Sequence, residues 1–534
     1  MIRITNFPVP LDYSESSLRE AVLKKLALSP DQLLSVSLYR RSVDARDRSD
    51  VHFVLSLDLT VKNESALLRR RRDLVPVSPS PVPSLPASRF SHPPLVVGAG
   101  PAGLFCALTL ARAGAAPILI ERGKPVEDRA KDVSRMTEEG ILSEESNVQF
   151  GEGGAGAFSD GKLTCGVKSP YLREVLQTFV DHGAPENILI DPKPHIGTDR
   201  LRPVVASIRQ EILSLGGTVL FETRLEHLIH RNGRIAGAVV RQRGSLRELI
   251  ADAVFLCIGH SARDTMQNLF QDGVIMAQKP FAIGVRIEHP RQMIDRSQFG
   301  SFAGHPRLGA ASYKLACHTR DGRGVYTFCM CPGGHVIAAA SQPEGVVVNG
   351  MSYHARDAEN SNSALLVGVR PEDFGDDHPL SGFALQRRIE QAAWQAANSV
   401  PDGRPGFLAP AQRVEDFLAG RPTVRFGDVS PSYRPGVVPA DLRALLPDYI
   451  VGNLKLALPV LDRQLHGFAL PDAVLTAPET RSSSPVRLPR DSSGQAENLS
   501  GLYPVGEGAG FAGGIVSAAL DGISAARKGL AAFA

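Results

Sequence analysis

The stretch from Leu95 to Glu121 restricts the fold of this chain more than any other. Leu95-Val96-Val97 is a short apolar run of the kind that forms a buried strand. Gly98, Gly100 and Gly103 follow with GxGxxG spacing, and an apolar helical stretch runs from Leu104 to Ala113. Gly114 is a fair C-terminal stop, Pro117-Ile118-Leu119-Ile120 is a second strand, and Glu121 closes it, 23 residues after Gly98. In this strand–turn–helix–strand unit the first glycine permits the tight turn. The second lets backbone approach a pyrophosphate, and the third lets helix and strand pack closely. The helix start then offers free N–H groups and partial positive charge to an anion. The spacing therefore predicts a dinucleotide site over Gly98, Ala99, Gly100, Pro101, Ala102 and Gly103. An acid at position 121, with Arg122 behind it, suits ribose hydroxyls and argues against a 2′-phosphate.

Composition narrows the alternatives. With 534 residues the chain has room for two to four domains, and 43% hydrophobic against 22% charged residues is an ordinary globular balance. A net charge of +3 gives no reason to expect bulk nucleic-acid or membrane binding. No apolar run reaches the length of a membrane span, and the first residues lack the layout of a signal peptide. The expected location is cytoplasmic. Six cysteines in a chain this long are expected as reduced thiols rather than a disulfide scaffold.

The expected domains are a small α+β unit over 1–73, a Pro-rich linker over 74–94, a cofactor-binding part over 95–280, an inserted α+β part over 281–479 and a second cofactor-binding part over 480–534. In the first unit, Ile2 to Phe7 reads as a strand, Ser17 to Glu20 as a capping box, and Val51 to Val61 as a half-buried strand, apolar at every second position. It shows no chemistry, so its expected role is packing or recruitment of a protein partner. The linker prolines, 76, 79, 81, 83, 86, 93 and 94, favour an extended spacer.

Further along, Gly151 to Gly156 is rich enough in glycine for close backbone approach to a ligand, with Gly154 and Ala155 as candidates. Asn232-Gly233 is a hairpin signal, and Ala253 to Gly259 is a buried strand ending near the cofactor crevice. Near the end, Gly506-Glu507 and Gly513-Gly514 precede Ile515-Val516, a second glycine turn into a helix.

Together these pieces resemble the flavoprotein superfamily that includes glutathione reductase, and more closely a family of uncharacterised FAD-dependent dehydrogenases. The resemblance rests on Gly151 to Gly156 with Asp160-Gly161-Lys162-Leu163, Cys257 to Thr265, Phe328 to Gly334, Gly350 to Arg356 and the Gly506-Glu507 segment. It implies an α/β fold: a Rossmann-like FAD-binding domain of the ββα three-layer type, an inserted α+β substrate domain and a small N-terminal α+β domain. It implies FAD with its pyrophosphate at Gly98–Gly103, its adenosine ribose at Glu121 and its adenine near the backbone of Leu225. Gly259 would lie near the cofactor, Glu507 by the ribityl chain, and Ile515 and Val516 by the flavin pyrimidine, after Gly514. The superfamily usually has Asp where Glu507 stands, which leaves direct ribityl contact open.

No second GxGxxG with a preceding strand and following acid occurs, so no separate nicotinamide-binding unit is expected; NAD(P)H as a transient electron donor and direct reduction of the flavin by a substrate both stay open. Cys329 and Cys331 on one strand face are either a dithiol–disulfide pair beside a flavin or two small core residues. A zinc site from Cys317, His318, Cys329, Cys331 and His335 does not have a standard spacing, and no metal is expected. His354 is a candidate proton carrier, with His260 and Arg356 as further substrate contacts; Arg263 and Arg481 suit structural pairing. The expected function is FAD-dependent oxidoreduction of a small molecule, against the alternatives of a flavin monooxygenase or a flavin-binding accessory protein.

Overall fold

The computed structural model describes residues 1–77, 84–399 and 406–533. The Leu95–Glu121 unit forms as its sequence requires. Strand Leu95–Val97 sits at the centre of a five-stranded parallel sheet, with Ile118–Ile120 and then Thr218–Leu220 on one side. Val254–Leu256 and then Leu502–Pro504 lie on the other side. All are short and apolar, as strands buried on both faces must be. The chain order of the strands reverses about Leu95–Val97, which opens a crevice at the carboxyl ends of the strands. Helices Pro101–Arg112 and Ile515–Ala532 pack side by side on one face of this sheet. A Cβ at Gly522 would lie 2.2 Å from the carbonyl oxygen of Ala102, so only glycine permits their approach.

Thr223–Arg231, Arg234–Gln242 and Ser245–Ile250 form a three-stranded antiparallel sheet. Its first turn is Asn232-Gly233, with φ of 50° and 73°, the positive pair a two-residue hairpin demands. Between 281 and 479 the chain builds a seven-stranded sheet in the order Ala316–His318, Gly324–Cys331, Asn360–Val369, Phe281–Pro290, Val474–Glu479, Ala409–Arg413, Val437–Pro439. Its central strand Phe281–Pro290 is buried throughout apart from its last residue.

The N-terminal unit is a four-stranded sheet with the helices Glu15–Leu26 and Glu64–Arg70. Three readings need correction here. The cap of the first helix is Ser14, bonded reciprocally with Ser17, because Ser17 is already the third helical residue. Leu74–Pro76 is not linker: it pairs with Ile2–Ile4 as the fourth strand. Residues 84–94 do not stand off as a spacer. The backbone N–H groups of Ser91 and His92 donate to Asp252, and the Phe90 ring lies 4.6 Å from that of Phe533. Prolines 79, 81 and 83 lie outside the described residues.

Among the described residues no helix is long and apolar enough to cross a membrane.

Candidate functional site

Both glycine turns open onto one cavity at the crevice of the parallel sheet, about 1360 Å³ of space that includes its open mouth. Gly98 has a φ of 99°, and a Cβ there would lie 2.5 Å from the Cys257 carbonyl oxygen; a Cβ at Gly103 would lie 1.8 Å from the Gly98 carbonyl oxygen. Gly100 differs: a Cβ would find nothing nearer than Gly154 Cα at 3.8 Å, so its backbone faces open space. Gly98, Gly100, Pro101 and Ala102 line the cavity, whereas Ala99 and Gly103 lie behind them as packing residues. Helix Pro101–Arg112 begins at Gly100, and helix Ile515–Ala532 begins at Gly514; neither has a side-chain cap. Their first N–H groups have no partner within the helix, and Gly513, Gly514 and Ile515 line the cavity. Val516 is buried behind Ile515 and contributes only through that helix start.

Glu121 has a structural role in addition to the expected one. Its Oε2 accepts the Ala99 N–H at 2.8 Å, and its Oε1 accepts those of Gly123 and Gly151, each at 2.9 Å. One buried carboxylate thus ties the first glycine turn, the turn after the second strand and the 151–156 loop together. It also lines the cavity, and only Oε2, which accepts a single bond, has a lone pair left for a ribose hydroxyl. Glu121→Gln should therefore lower stability by about 2 kcal/mol, the scale of hydrogen bonds to a charged group. Urea unfolding in the absence of added FAD would measure this; an unchanged midpoint would remove the stapling role.

Arg122 lines the cavity with its charge already matched, donating to Glu145 at 2.8 Å and to both oxygens of Asp264 at 2.8 and 2.9 Å. Gly154, Ala155, Leu225, Gly259 and Glu507 all line it too. Gly506 sits just behind: its N–H donates to Asp521 at 2.7 Å, which fixes the turn that presents Glu507. The Nδ1 of His260 lies 3.4 Å from Glu507 Oε1, while its buried Nε2 has no hydrogen-bond partner. His260 also lines the cavity, and a buried ring nitrogen without a partner calls for a ligand atom. Two uncapped helix starts, an open backbone at Gly100 and this nitrogen fit a dinucleotide with a polar ring system.

His354 is not in the cavity. Its Nδ1 bonds the Ile196 carbonyl oxygen at 2.9 Å, its N–H donates to Asp199, and its ring stacks on His195 at 5.3 Å. The 352–357 turn packs against the 196–199 segment and carries His354 away from the crevice. Arg356 donates to Asp160 at 2.8 Å, also outside the cavity lining.

Part of the cavity lining is charged. Arg286 is fully buried and bonds Glu479 through Nε at 2.5 Å and Nη2 at 3.2 Å. Burial pushes the Glu479 carboxyl up to about 7 against the pull of Arg286. Glu479 lines the cavity beside Asn349, Arg481 and Ser482. Arg481 shares Glu390 with Arg263; burial opposes the charge of Glu390, but the two guanidiniums hold its carboxyl well below the usual range. Arg263 and Arg481 are thus structurally paired through Glu390.

Cys329 lines the cavity and Cys331 is fully buried beside it. A bulge, with the strand register slipping between Phe328 and Cys331 and Cys329 at a φ of 42°, separates their environments. Lys162 Nζ lies 3.8 Å from Cys329 Sγ and 3.5 Å from Cys331 Sγ. Lys162, Arg286 and Glu479 were not singled out for chemistry from the sequence. A charged residue inside the apolar run Phe281–Ile287 was the one available signal. Among the described residues no group of three or more His, Cys, Asp or Glu lies together as a metal site, and the zinc set does not assemble.

Comparison with known proteins agrees with this geometry. Residues 280–482 match a family model described as "FAD-dependent protein, C-terminal domain-like", residues 94–130 match an FAD binding domain, and residues 1–60 match a domain of unknown function. An uncharacterized protein of Clostridium beijerinckii is 45% identical over 531 residues, 98% of each chain. The chain belongs to that protein's family. It is an FAD-binding flavoprotein, and FAD is its cofactor. Among solved structures, the 3-ketosteroid-Δ4-(5α)-dehydrogenase of Rhodococcus jostii RHA1 is 14% identical, covering 84% of this chain and 100% of its own, with a TM-score of 0.34. The FrdA subunit of E. coli quinol fumarate reductase is 14% identical, covering 83% of this chain and 70% of its own, with a TM-score of 0.35. Overlaps this loose carry no argument about the reaction.

Proposed function

We propose that this protein is an FAD-dependent oxidoreductase acting on a small molecule that enters between the second helix start and the Glu479 wall. The observation that carries the reading is one cavity lined both by two uncapped helix N-termini and by buried, titratable and charged side chains. FAD, when bound, supplies a two-electron carrier that takes or gives hydride at N5. In this reading 95–280 and 480–534 hold the cofactor, and 281–479 forms the substrate side. The backbone N–H groups of Gly100 and Ala102 bind the pyrophosphate, Leu225 packs at the adenine end, and Glu507 with His260 orients the ribityl side. The N–H groups of Ile515 and Val516 favour negative charge near the ring system. Glu479 holds or takes a proton at its carboxyl. The N-terminal unit recruits a partner or stabilises the fold, the location is cytoplasmic, and the superfamily is that of glutathione reductase.

Anaerobic mixing with NADH or NADPH, followed by air, tests the reading. Bleaching of the flavin followed by slow reoxidation supports it; rapid oxygen use only with an added organic substrate points to a monooxygenase, and no bleaching by any donor to a binding role. For a substrate that is oxidised, the unprotonated Glu479 accepts the proton. The rate should then rise with pH through about 7, and Glu479→Gln should flatten that profile. A profile unchanged in the variant assigns the proton to another group.

A further inference from the structure

We propose that Cys329 and Cys331 form a second two-electron store in series with the flavin, cycling between a thiolate–thiol pair and a disulfide. The inference rests on the oxidoreductase reading above and adds a site to it. The two cysteines are free thiols in this structure. Their placement is asymmetric: Cys329 faces the cavity, whereas Cys331 is sealed in the sheet. The Cys331 thiol donates to the Cys329 carbonyl oxygen at 3.3 Å. Lys162 reaches both sulfurs, and Arg286 Nη1 lies 2.8 Å from the Cys329 carbonyl oxygen and 4.0 Å from Cys331 Sγ.

Charge counting supports the thiolate. Three cations, Lys162, Arg286 and Arg356, surround two carboxyls, Asp160 and Glu479, in this buried cluster. An anion on Cys329 completes the balance that buried charges need. The neighbouring Cys331 side chain and the two cations Lys162 and Arg286 act together to hold the Cys329 thiol well below its ordinary range, against burial, while burial pushes Cys331 up. The Cys106–Cys257 pair is a contrast within the same chain. Cys257 also lines the cavity, but burial, Cys257 and Asp521 all push the Cys106 thiol up, and no cation opposes them.

The step balances. The Cys329 thiolate and the Cys331 thiol lose two electrons and the one proton on Cys331, and an Sγ–Sγ bond forms; electrons and proton pass to the oxidised flavin. In reverse, two electrons and a proton from the reduced flavin break that bond. The proton returns to Cys331 and the charge to Cys329, opposite a Lys162 that stays protonated throughout. Because Cys331 is sealed, exchange with any external thiol or disulfide passes through Cys329 in the cavity.

Trypsin provides a direct readout, since peptide 324–356 contains these two cysteines and no other, with no internal Lys or Arg. In the air-oxidised holoprotein this peptide should be two hydrogens lighter and refuse iodoacetamide; after anaerobic dithionite it should take two alkyl groups. Anaerobic dithionite titration should consume twice as much reductant per flavin in the wild type as in Cys331→Ser. A peptide that alkylates fully before reduction, with equal reductant uptake in both proteins, overturns the proposal while leaving the oxidoreductase reading intact. A protein that binds no flavin overturns that reading and the store with it. The peptide assay uses the wild-type chain, so a misfolded variant does not decide the outcome.

Discussion

Gly103→Val should yield a chain that purifies without flavin and unfolds far earlier than the wild type. Any Cβ at this position falls 1.8 Å from the Gly98 carbonyl oxygen and 3.4 Å from the Cys257 side chain. Neither is free to move, because the Gly98 N–H donates to the Ile120 carbonyl at 2.7 Å and the Cys257 N–H to the Val97 carbonyl at 2.8 Å. Helix Pro101–Arg112 would have to lift from strand Leu95–Val97, carrying its N-terminus away from the cavity. The cost should exceed about 4 kcal/mol, in the class of overpacking at a rigid backbone contact. Gly452→Ala is the matched control, since nothing lies within 4 Å of a Cβ there in the middle of helix Asp448–Gln464. It should be neutral or stabilising by up to about 1 kcal/mol. Flavin content and urea midpoints of the two variants check both statements; a flavin-loaded Gly103→Val protein would refute the packing argument.

Glu390→Gln should be the second large effect. The fully buried Glu390 is shared by Arg263 at 2.8 Å and Arg481 at 3.1 Å and also accepts the Thr480 hydroxyl at 2.7 Å. Removing its charge leaves two buried guanidiniums facing each other. Breaking a buried pair in this way costs about 3–5 kcal/mol, and here the repulsion acts on Arg481, which forms part of the cavity wall. Stability should fall by that amount in urea, and added FAD should recover only part of it. The double variant Glu390→Gln with Arg263→Met should be more stable than Glu390→Gln alone. A Glu390→Gln protein of wild-type stability would mean that the two guanidiniums are solvated in solution.

What the sequence revealed and what it concealed follow from distance along the chain. The turn at Gly98 was legible because strand, glycines, helix and acid lie within 27 residues and each has a local geometric reason. The second turn at Gly514 was legible by the same logic. The role of Glu121 was not, because two of its backbone partners, Ala99 and Gly151, lie 22 and 30 residues away. The Cys329 environment was still less accessible: Lys162, Arg286 and Glu479 come from three distant segments that only the folded sheets bring together. His354 failed for the opposite reason. Its polar loop resembled a substrate contact, but the carbonyl of Ile196 and the carboxylate of Asp199 already hold it. Strand alternation would set the Cys329 and Cys331 side chains alike on one face; a bulge instead gives them separate environments, one at the cavity and one sealed in the sheet.

The central claim is that two glycine turns, more than 400 residues apart in the chain, complete one FAD site against the Cys329–Glu479 wall. A crystal structure of the FAD complex tests it most directly. The pyrophosphate should lie against the N–H groups of Gly100 and Ala102, and the flavin ring between Ile515 and Cys329. A flavin ring bound away from the Ile515 helix start, or turned from the Cys329 wall, would contradict it.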